Sequence, residues 1–322
     1  MTVAETIAAK IEGLEKVPEA WVNGITRYQP KLSAKLTRLL DQLTRTVDGA
    51  VEMTAQNMAA VDTIITELRA YMTQGEYVSL LTDLAEEFAA QEGRTIAYFT
   101  TAFGSDATTS TFAASVYARG RAALIADLVP ENLYSVLWQP LRDTLTNGIA
   151  TGSGYTDLLE SVQALAQGTE TADGALLGHS RQLVTDTLGV TDRAYTDIIA
   201  NDLGLEWYAY LGGVVLGAPK KGGGRAKTTT RCFCLKRNGN YYHRKEIAGW
   251  GAGKGVGECG FPWAGMNKAT NPETIFAYVG GYNCQHSLLP VSMFTVPKEA
   301  ILEAMAKGYF NPTAKERELL GV

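Results

Sequence analysis

Cysteine and histidine residues in the last third of the chain are the side chains best suited to hold a metal ion. The four ligand candidates are Cys234, Cys259, Cys284 and His286, with Cys232 and His243 as substitutes. Thiolate sulfur and imidazole nitrogen are the ligands of tetrahedral zinc, and four of them complete its coordination. The Cys-x-Cys and Cys-x-His spacings are tighter than the roughly two to four residues usual between zinc ligands. Three hypotheses therefore stay open: a structural zinc ion, disulfides, or buried thiols beside a hydrogen-bonded histidine.

A cysteine paired with a histidine is also the arrangement of a nucleophilic enzyme. Cys234 or Cys284 together with His243 would supply a thiolate and its base. The carboxylates of the same region are scattered, so that no pair is available for general acid–base work. We therefore predict that the chain is not an enzyme and that it has no catalytic residue.

A strongly basic window lies between Lys220 and Lys254, where ten Lys or Arg residues accompany a single acid, Glu246. The window carries a charge of +9 in a chain whose net charge is −5. Basic side chains neutralise phosphates, and the interleaved aromatic rings can stack on bases. A solvated loop that faces an acidic partner fits this charge equally well. The candidates for nucleic-acid contact are Lys220, Lys221, Arg225, Lys227, Arg237, Arg244 and Lys245.

The elements that precede these residues are predicted to be helical from Thr2 to about Leu203. One stripe at helical spacing consists of Val61, Ile64, Ile65, Leu68 and Met72. Further helices are predicted over 76–92, 109–128, 131–148 (with a kink at Pro140), 155–167, 173–188 and 190–202. Pro18, Pro30 and Pro130 are interpreted as helix starts or breaks.

The pattern changes after Gly204. β-forming residues that begin at Trp207 predict one strand, and 231–235 and 241–243 predict two more, joined by a hairpin turn at Asn238-Gly239. The tail is predicted to form helices over 298–307 and 312–320. The predicted fold is therefore mainly α, with a long helical body (1–203), a small α+β module (204–293) and a helical tail (294–322).

Membrane insertion and export are not predicted. No apolar run reaches the length that crosses a bilayer. The N-terminus carries the charged residues Glu5, Lys10 and Glu12 where an export signal would have an apolar run. Thr2 and Glu5 instead have the spacing of a capping box at the start of a helix.

The stretch 207–292 contains an ordered set of residues that resembles the C-terminal module of phage head-morphogenesis proteins, the Mu F-like minor head family. The matching residues are Arg231, Cys234, Gly239, Asn283, Cys284, His286 and Pro290. Two positions depart from the family pattern. Gln285 stands where the family usually has Arg, and Cys232 lies two residues before Cys234, where many members have Cys-x-x-Cys. The resemblance therefore does not carry a metal role over to this chain.

The resemblance implies a structural role as a minor head protein of a tailed bacteriophage, present in few copies near the portal. The implied tasks are head assembly, DNA packaging or genome delivery. The implied partners are portal and capsid proteins and the packaged DNA, and the implied location is the virion after synthesis in the host cytoplasm. Two alternatives remain: an enzyme (nuclease or transferase) delivered with the genome, and an internal DNA-binding virion protein that uses the basic window.

Overall fold

The computed structural model describes residues 1–104, 111–169, 171–212, 230–282 and 284–322, with the backbone alone for 111 and 112. Helices dominate, and strands occur only in the C-terminal half of the described residues. The predicted fold class, mainly α with a small α+β part, is confirmed. Within the described part of the chain, no helix combines the length and the apolar character needed to cross a membrane.

The helices of the first two thirds are long, and those of the last third are short. The first group consists of α1 (Val3–Leu40), α2 (Ala55–Met72), α3 (Glu76–Phe103), α4 (Thr111–Leu128), α5 (Gln139–Ala150), α6 (Tyr155–Gln167) and α7 (Ala175–Asp202). The second group consists of α8 (Cys232–Arg237), α9 (Arg244–Gly251), α10 (Ile275–Tyr278), α11 (Lys298–Ala306) and α12 (Ala314–Leu320). The strands are β1 (Gly168–Thr169), β2 (Ala172–Asp173), β3 (Trp207–Leu211), β4 (Tyr241–His243) and β5 (Ser287–Val291).

The chain forms two compact units that alternate along the sequence. The C-terminal unit consists of Met1–Glu15, Ala90–Gly120 and Thr185–Val322. The helical unit consists of Lys16–Ala89 and Arg121–Val184. This division differs from the boundaries expected at 203 and 293, because three helical segments and the tail join the α+β region in one unit.

Helix α1 continues through both of its prolines. The interpretation of Pro18 and Pro30 as helix starts or breaks is therefore wrong. A proline inside a helix costs about 3 kcal/mol, whereas each large apolar side chain that becomes buried contributes roughly 1.5–3 kcal/mol. A buried stripe at helical spacing spans both prolines and outweighs their cost. Its members are Val17, Trp21, Ile25, Tyr28, Leu32, Leu36 and Leu39. Pro130, in contrast, does begin a short 3-10 helix, as predicted.

The expected helix over 131–148 is irregular before its proline. A 3-10 turn at Pro130–Asn132 and a π-helical turn at Tyr134–Trp138 precede α5. Because Pro140 has no backbone N–H, the regular hydrogen-bond ladder cannot run through it. In place of one kinked helix, the helix type changes just ahead of Pro140, which lies in the first turn of α5.

Helices α3 and α7 are longer than predicted. The sequence indicated an end near 92 and a break at Gly189, but α3 reaches Phe103 and α7 is continuous. The apolar stripes fade there because buried polar residues occupy the inner faces. In the C-terminal unit, Gln91, Thr95 and Asp192 are each 0% exposed. A stripe of apolar residues alone could not reveal helices whose buried faces are partly polar.

These polar residues form a network around the Asp192 carboxylate. Asp192 accepts hydrogen bonds from the Lys10 ammonium, from Thr95 Oγ1 (2.6 Å) and from the Tyr117 hydroxyl (2.6 Å). Lys10 also donates to Thr95 Oγ1 at 2.8 Å and to Thr196 Oγ1 at 3.2 Å. Burial alone would raise the pKa of Asp192, but the Lys10 charge and these donors hold that pKa below its usual value. The carboxylate is therefore ionised, and the network joins all the helices of the C-terminal unit that precede the sheet.

The sheet of the C-terminal unit has the order β4-β3-β5, and both pairings are antiparallel. Trp207 of β3 faces His243 on one side and Val291 on the other, and Tyr210 is opposite Leu288. The first four residues of β3 are all buried, as expected for a central strand covered on both faces. The tail belongs to this unit, where Phe310 contacts the Trp207 ring edge-to-face at 5.4 Å.

The predicted strand over 231–235 is wrong, because Cys232–Arg237 form helix α8. Phe233 and Cys234 are both buried, whereas a strand with one exposed face would point adjacent side chains in opposite directions. The helix also brings Arg237 one turn after Phe233, so that the guanidinium lies 3.9 Å from the ring centre. The second predicted strand, Tyr241–His243, is confirmed as β4.

We expect Lys10→Met to lower the free energy of unfolding by about 3–5 kcal/mol, because it leaves a buried carboxylate without its cation. Denaturant unfolding measures this loss. Lys31→Met is the control, since it breaks an exposed pair with Glu76 and should cost less than about 1 kcal/mol. Equal losses for the two variants would contradict a stabilising role for the buried network.

Candidate functional site

Two cysteines and one histidine of the C-terminal unit converge in what we call the thiol–imidazole cluster: Cys234, Cys284 and His286. Cys234 lies on α8, and the other two directly precede β5. The Cys234 and Cys284 Sγ atoms are 3.8 Å apart, and His286 Nδ1 lies 4.0 Å from Cys284 Sγ. All three side chains are buried, with exposed fractions of 3–5%. Their ligand atoms lie within 4.8 Å of one another, which is a group able to hold a metal ion.

Tyr210 at the centre of the sheet forms one wall of the cluster. It is 0% exposed, and its hydroxyl donates to Cys234 Sγ at 3.2 Å. Its ring lies 5.3 Å from the His286 ring. Burial raises the pKa of the Tyr210 hydroxyl more than any other effect. The hydroxyl therefore keeps its proton and can donate a hydrogen bond. The tyrosine therefore orients Cys234 from the sheet side.

Gly280 provides the space that the two sulfur atoms occupy. Its φ is +74°, and a Cβ there would lie 2.2 Å from Cys284 Sγ and 2.7 Å from Cys234 Sγ. Its carbonyl accepts a hydrogen bond from Arg231 Nη1 at 2.9 Å. Any side chain at this position would both strain the backbone and overlap the thiols. The glycine is thus required for the thiols to meet.

Arg193 of α7 holds the backbone that carries the cluster. Its guanidinium donates to the carbonyls of Ala277 (2.7 Å), Cys284 (3.0 Å) and His286 (3.2 Å). Sequence analysis missed this residue. The available signal was a pair of adjacent opposite charges, Asp192 and Arg193, in a helix with many buried positions. Both are buried and each has its own partners.

The pKa values of the two thiols are shifted in opposite directions. The hydrogen bond from Cys234 lowers the pKa of Cys284 well below the usual range of a thiol, against the effect of burial, and His286 and Arg193 lower it further. The same hydrogen bond and burial raise the pKa of Cys234. The two opposite pKa shifts therefore have a common cause, the hydrogen bond between the two thiols.

The second ring nitrogen of His286, Nε2, lies on the side of the ring away from the thiols. His286 Nε2 is buried and, within the described residues, has no hydrogen-bond partner. The ring packs closely against Gly212, where a Cβ would lie 2.7 Å from His286 Cγ. Since Nδ1 faces the thiols, Nδ1 and not Nε2 is the nitrogen that a metal ion at the cluster would use.

Cys259, predicted as a fourth ligand, is not part of the cluster. It forms a disulfide with Cys232, and their Cα atoms are 5.6 Å apart. The disulfide hypothesis is thus correct for one pair of cysteines. Cys232 is exposed and Cys234 is buried, because residues two apart on a helix face nearly opposite sides. Helix α8 thereby separates two cysteines that a strand would have put on one face.

His243, the other substitute ligand and the expected base of a nucleophilic pair, belongs to a different part of the unit. Its Nδ1 accepts a hydrogen bond from the Lys245 backbone N–H at 3.2 Å, which caps α9. Its ring contacts Trp207 and Phe310. His286, not His243, is therefore the histidine beside the thiols.

The residues predicted to contact nucleic acid differ in where they lie and in what they bind. Lys220, Lys221, Arg225 and Lys227 lie outside the described residues, as does Asn283 of the motif. Arg237 is buried and donates to the carbonyls of Phe233 and Gly255. Arg244 pairs with Asp197 at 2.8 Å and contacts the Tyr208 hydroxyl. Arg237 and Arg244 thus serve the protein interior, and Lys245 alone of the described candidates is exposed.

Comparison of the chain with protein families, with curated proteins and with solved structures finds no match. The chemistry of the cluster and the motif residues around it therefore carry the functional inference. Among the described residues, the cluster is the group of Cys, His, Asp or Glu side chains whose geometry suits a metal ion.

We expect Gly280→Ala to destabilise the protein more than Gly239→Ala does. Both glycines have positive φ, +74° and +83°, so both variants carry about 1–2 kcal/mol of left-handed strain. At Gly280 the methyl group would also overlap two sulfur atoms, whereas at Gly239 no described atom lies within 4 Å. The extra loss should be about 1–3 kcal/mol, measured by denaturant unfolding. A similar loss in the two variants would show that the thiols move aside freely.

Proposed function

We propose that this chain is a structural minor head protein of a tailed bacteriophage, present in few copies near the portal. The observation that supports this proposal is the convergence of the motif residues. Arg231 binds the Gly280 carbonyl, and Cys234 contacts Cys284 beside His286. Pro290 lies in β5, where its carbonyl accepts a hydrogen bond from Tyr98. Residues far apart in the sequence thus form one framework, as expected if the ordered set defines a folded module.

Burial of this framework favours a structural role over an enzymatic one. The cluster side chains are 3–5% exposed, so a protein or nucleic-acid substrate cannot reach the sulfur atoms in this conformation. The internal DNA-binding alternative also loses support, because Arg237 and Arg244 bind groups of the protein itself. The proposed partners are portal and capsid proteins, with packaged DNA as a further contact, and the proposed location is the virion.

The test uses the phage that encodes this chain, with and without its gene. We expect purified particles to contain the chain in far fewer copies than the capsid protein, as measured by quantitative mass spectrometry. Particles made without it should be missing, malformed or empty of DNA in electron micrographs, and the wild-type gene supplied in trans should restore them. DNA-filled, normal particles that fail only after injection would favour the delivered enzyme. Absence of the chain from infectious particles would overturn the proposal.

We further propose that the thiol–imidazole cluster holds one structural zinc ion. Zinc–sulfur bonds of about 2.3 Å at a tetrahedral angle separate two sulfur ligands by about 3.8 Å. The Cys234 and Cys284 sulfur atoms are 3.8 Å apart. The corresponding sulfur–nitrogen separation is about 3.6 Å, and the distance from Cys284 Sγ to His286 Nδ1 is 4.0 Å. The third pair, Cys234 Sγ and the His286 ring nitrogen, lies within 4.8 Å. Shifts of about 1 Å would therefore bring three of the four zinc ligands into place, and a water molecule would be the fourth.

The energetic reason for zinc is the buried pair of sulfur atoms. The hydrogen bond to Cys284 and burial raise the pKa of Cys234, and the negative charge of Cys284 raises it further. A divalent cation between the two sulfur atoms would allow both to ionise. It would also tie α8, which has only six residues, to the segment before β5. A metal cross-link of this kind adds most stability where the helices and strands are short.

We expect the protein, expressed with zinc and purified under mild reduction, to contain one zinc ion per chain by elemental mass spectrometry. Cys284→Ser and Cys234→Ser should lower the content to background, because each removes one of three ligands. The double variant Cys232→Ser/Cys259→Ser is the matched control, since it removes two sulfur atoms outside the cluster and should keep its zinc. Wild-type protein that is folded but free of zinc would refute this part of the proposal.

A further inference from the structure

We propose that Cys234 and Cys284 form an oxidation site, at which a hydroperoxide closes the two sulfur atoms into a disulfide and thereby expels the zinc ion. The inference rests on the proposed zinc site and names its regulation. The sulfur atoms are 3.8 Å apart, and a disulfide bond is about 2.05 Å long, so each atom needs to move by only about 0.9 Å.

The surroundings favour closure within the pair over reaction with other thiols. Cys232 and Cys259 are already joined to each other, so Cys234 and Cys284 are the remaining free cysteines of the chain. Both are buried, which keeps the thiols of other molecules away. Gly280 places only backbone beside the two sulfur atoms. An oxidised sulfur formed here therefore meets the other cysteine first.

The chemistry balances with a hydroperoxide as oxidant, here hydrogen peroxide. One thiolate attacks a peroxide oxygen, so that an S–O bond forms, the O–O bond breaks and hydroxide leaves. The second thiolate then attacks the sulfenic sulfur, so that the S–S bond forms, the S–O bond breaks and a second hydroxide leaves. The two sulfur atoms lose two electrons and the two oxygens gain them. Two protons from solvent convert the hydroxides into two water molecules.

Metal binding and oxidation exclude each other at this site. A zinc ion uses the thiolate lone pairs that form the disulfide, and His286 alone offers one ligand where zinc takes four. Zinc should therefore protect the pair, and oxidation should release zinc, because the coupling of two events at one site is reciprocal. The low exposure of the residues Cys234 and Cys284, 3% and 5%, selects small oxidants over bulky ones. Oxidised glutathione should react more slowly than hydrogen peroxide.

The experiment uses the wild-type chain loaded with zinc and freed of excess metal. Hydrogen peroxide is added, released zinc is followed with a chromogenic chelator, and free thiols are counted by alkylation after denaturation. Peptide mapping identifies the linked cysteines. We expect one zinc ion released for each Cys234–Cys284 disulfide formed, with the same time course, and full reloading after reduction. Oxidised glutathione at equal concentration should be at least about tenfold slower, because it cannot enter the buried site.

The control is the double variant Cys232→Ser/Cys259→Ser, which should release zinc as the wild type does. Because the main measurement uses unaltered protein, the folding of variants does not decide the result. Zinc that stays bound, or zinc that leaves while Cys234 and Cys284 remain thiols or form sulfinic acid, would overturn the inference and leave the zinc site intact. Protein that contains no zinc before oxidation would overturn the zinc site and the inference together.

Discussion

The guanidinium of Arg193 is the group on which the geometry of the thiol–imidazole cluster depends. It is buried, and it donates to three carbonyls, two of which belong to Cys284 and His286. A buried charge without such partners would cost several kcal/mol, so the backbone that carries the cluster must stay where the guanidinium can reach it. The preceding residue, Asp192, binds Lys10 in the same way. Two adjacent charges on α7 thus fix the helical segments and the cluster within one unit.

This constraint explains why the cluster differs from an exposed cysteine pair. Arg193 and Arg231 hold the chain on either side of the two sulfur atoms, and Gly280 leaves room for them. Cys234 and Cys284 are both buried, so a large reactant cannot reach their sulfur atoms in this conformation. A catalytic site for a large substrate would need the opposite arrangement, with an open face beside the nucleophile. The chemistry of the cluster therefore agrees with a structural role for the chain.

The four cysteines divide into two pairs because of a helix. Cys232 and Cys234 are two residues apart on α8, so one faces solvent and joins Cys259, while the other faces the core and meets Cys284. On a strand both would have pointed to one side, and a zinc site with Cys259 as a ligand would have been reasonable. The predicted ligand set was wrong at Cys259 because residue type alone does not show which other cysteine Cys259 meets.

The sequence by itself determined the fold class, most helices and the strands β3 and β4, because these depend on local periodicity and residue type. Residue type also pointed to Cys234, Cys284 and His286 as ligand candidates, but only the tertiary structure brought them together. Only the tertiary structure decided that α1 runs through its prolines, that α3 and α7 continue past buried polar residues, and that Arg237 and Arg244 bind internal groups instead of solvent. In each case the deciding term was burial against distant residues. A local pattern contains no information about such partners, and their contributions exceed the local preferences that they override.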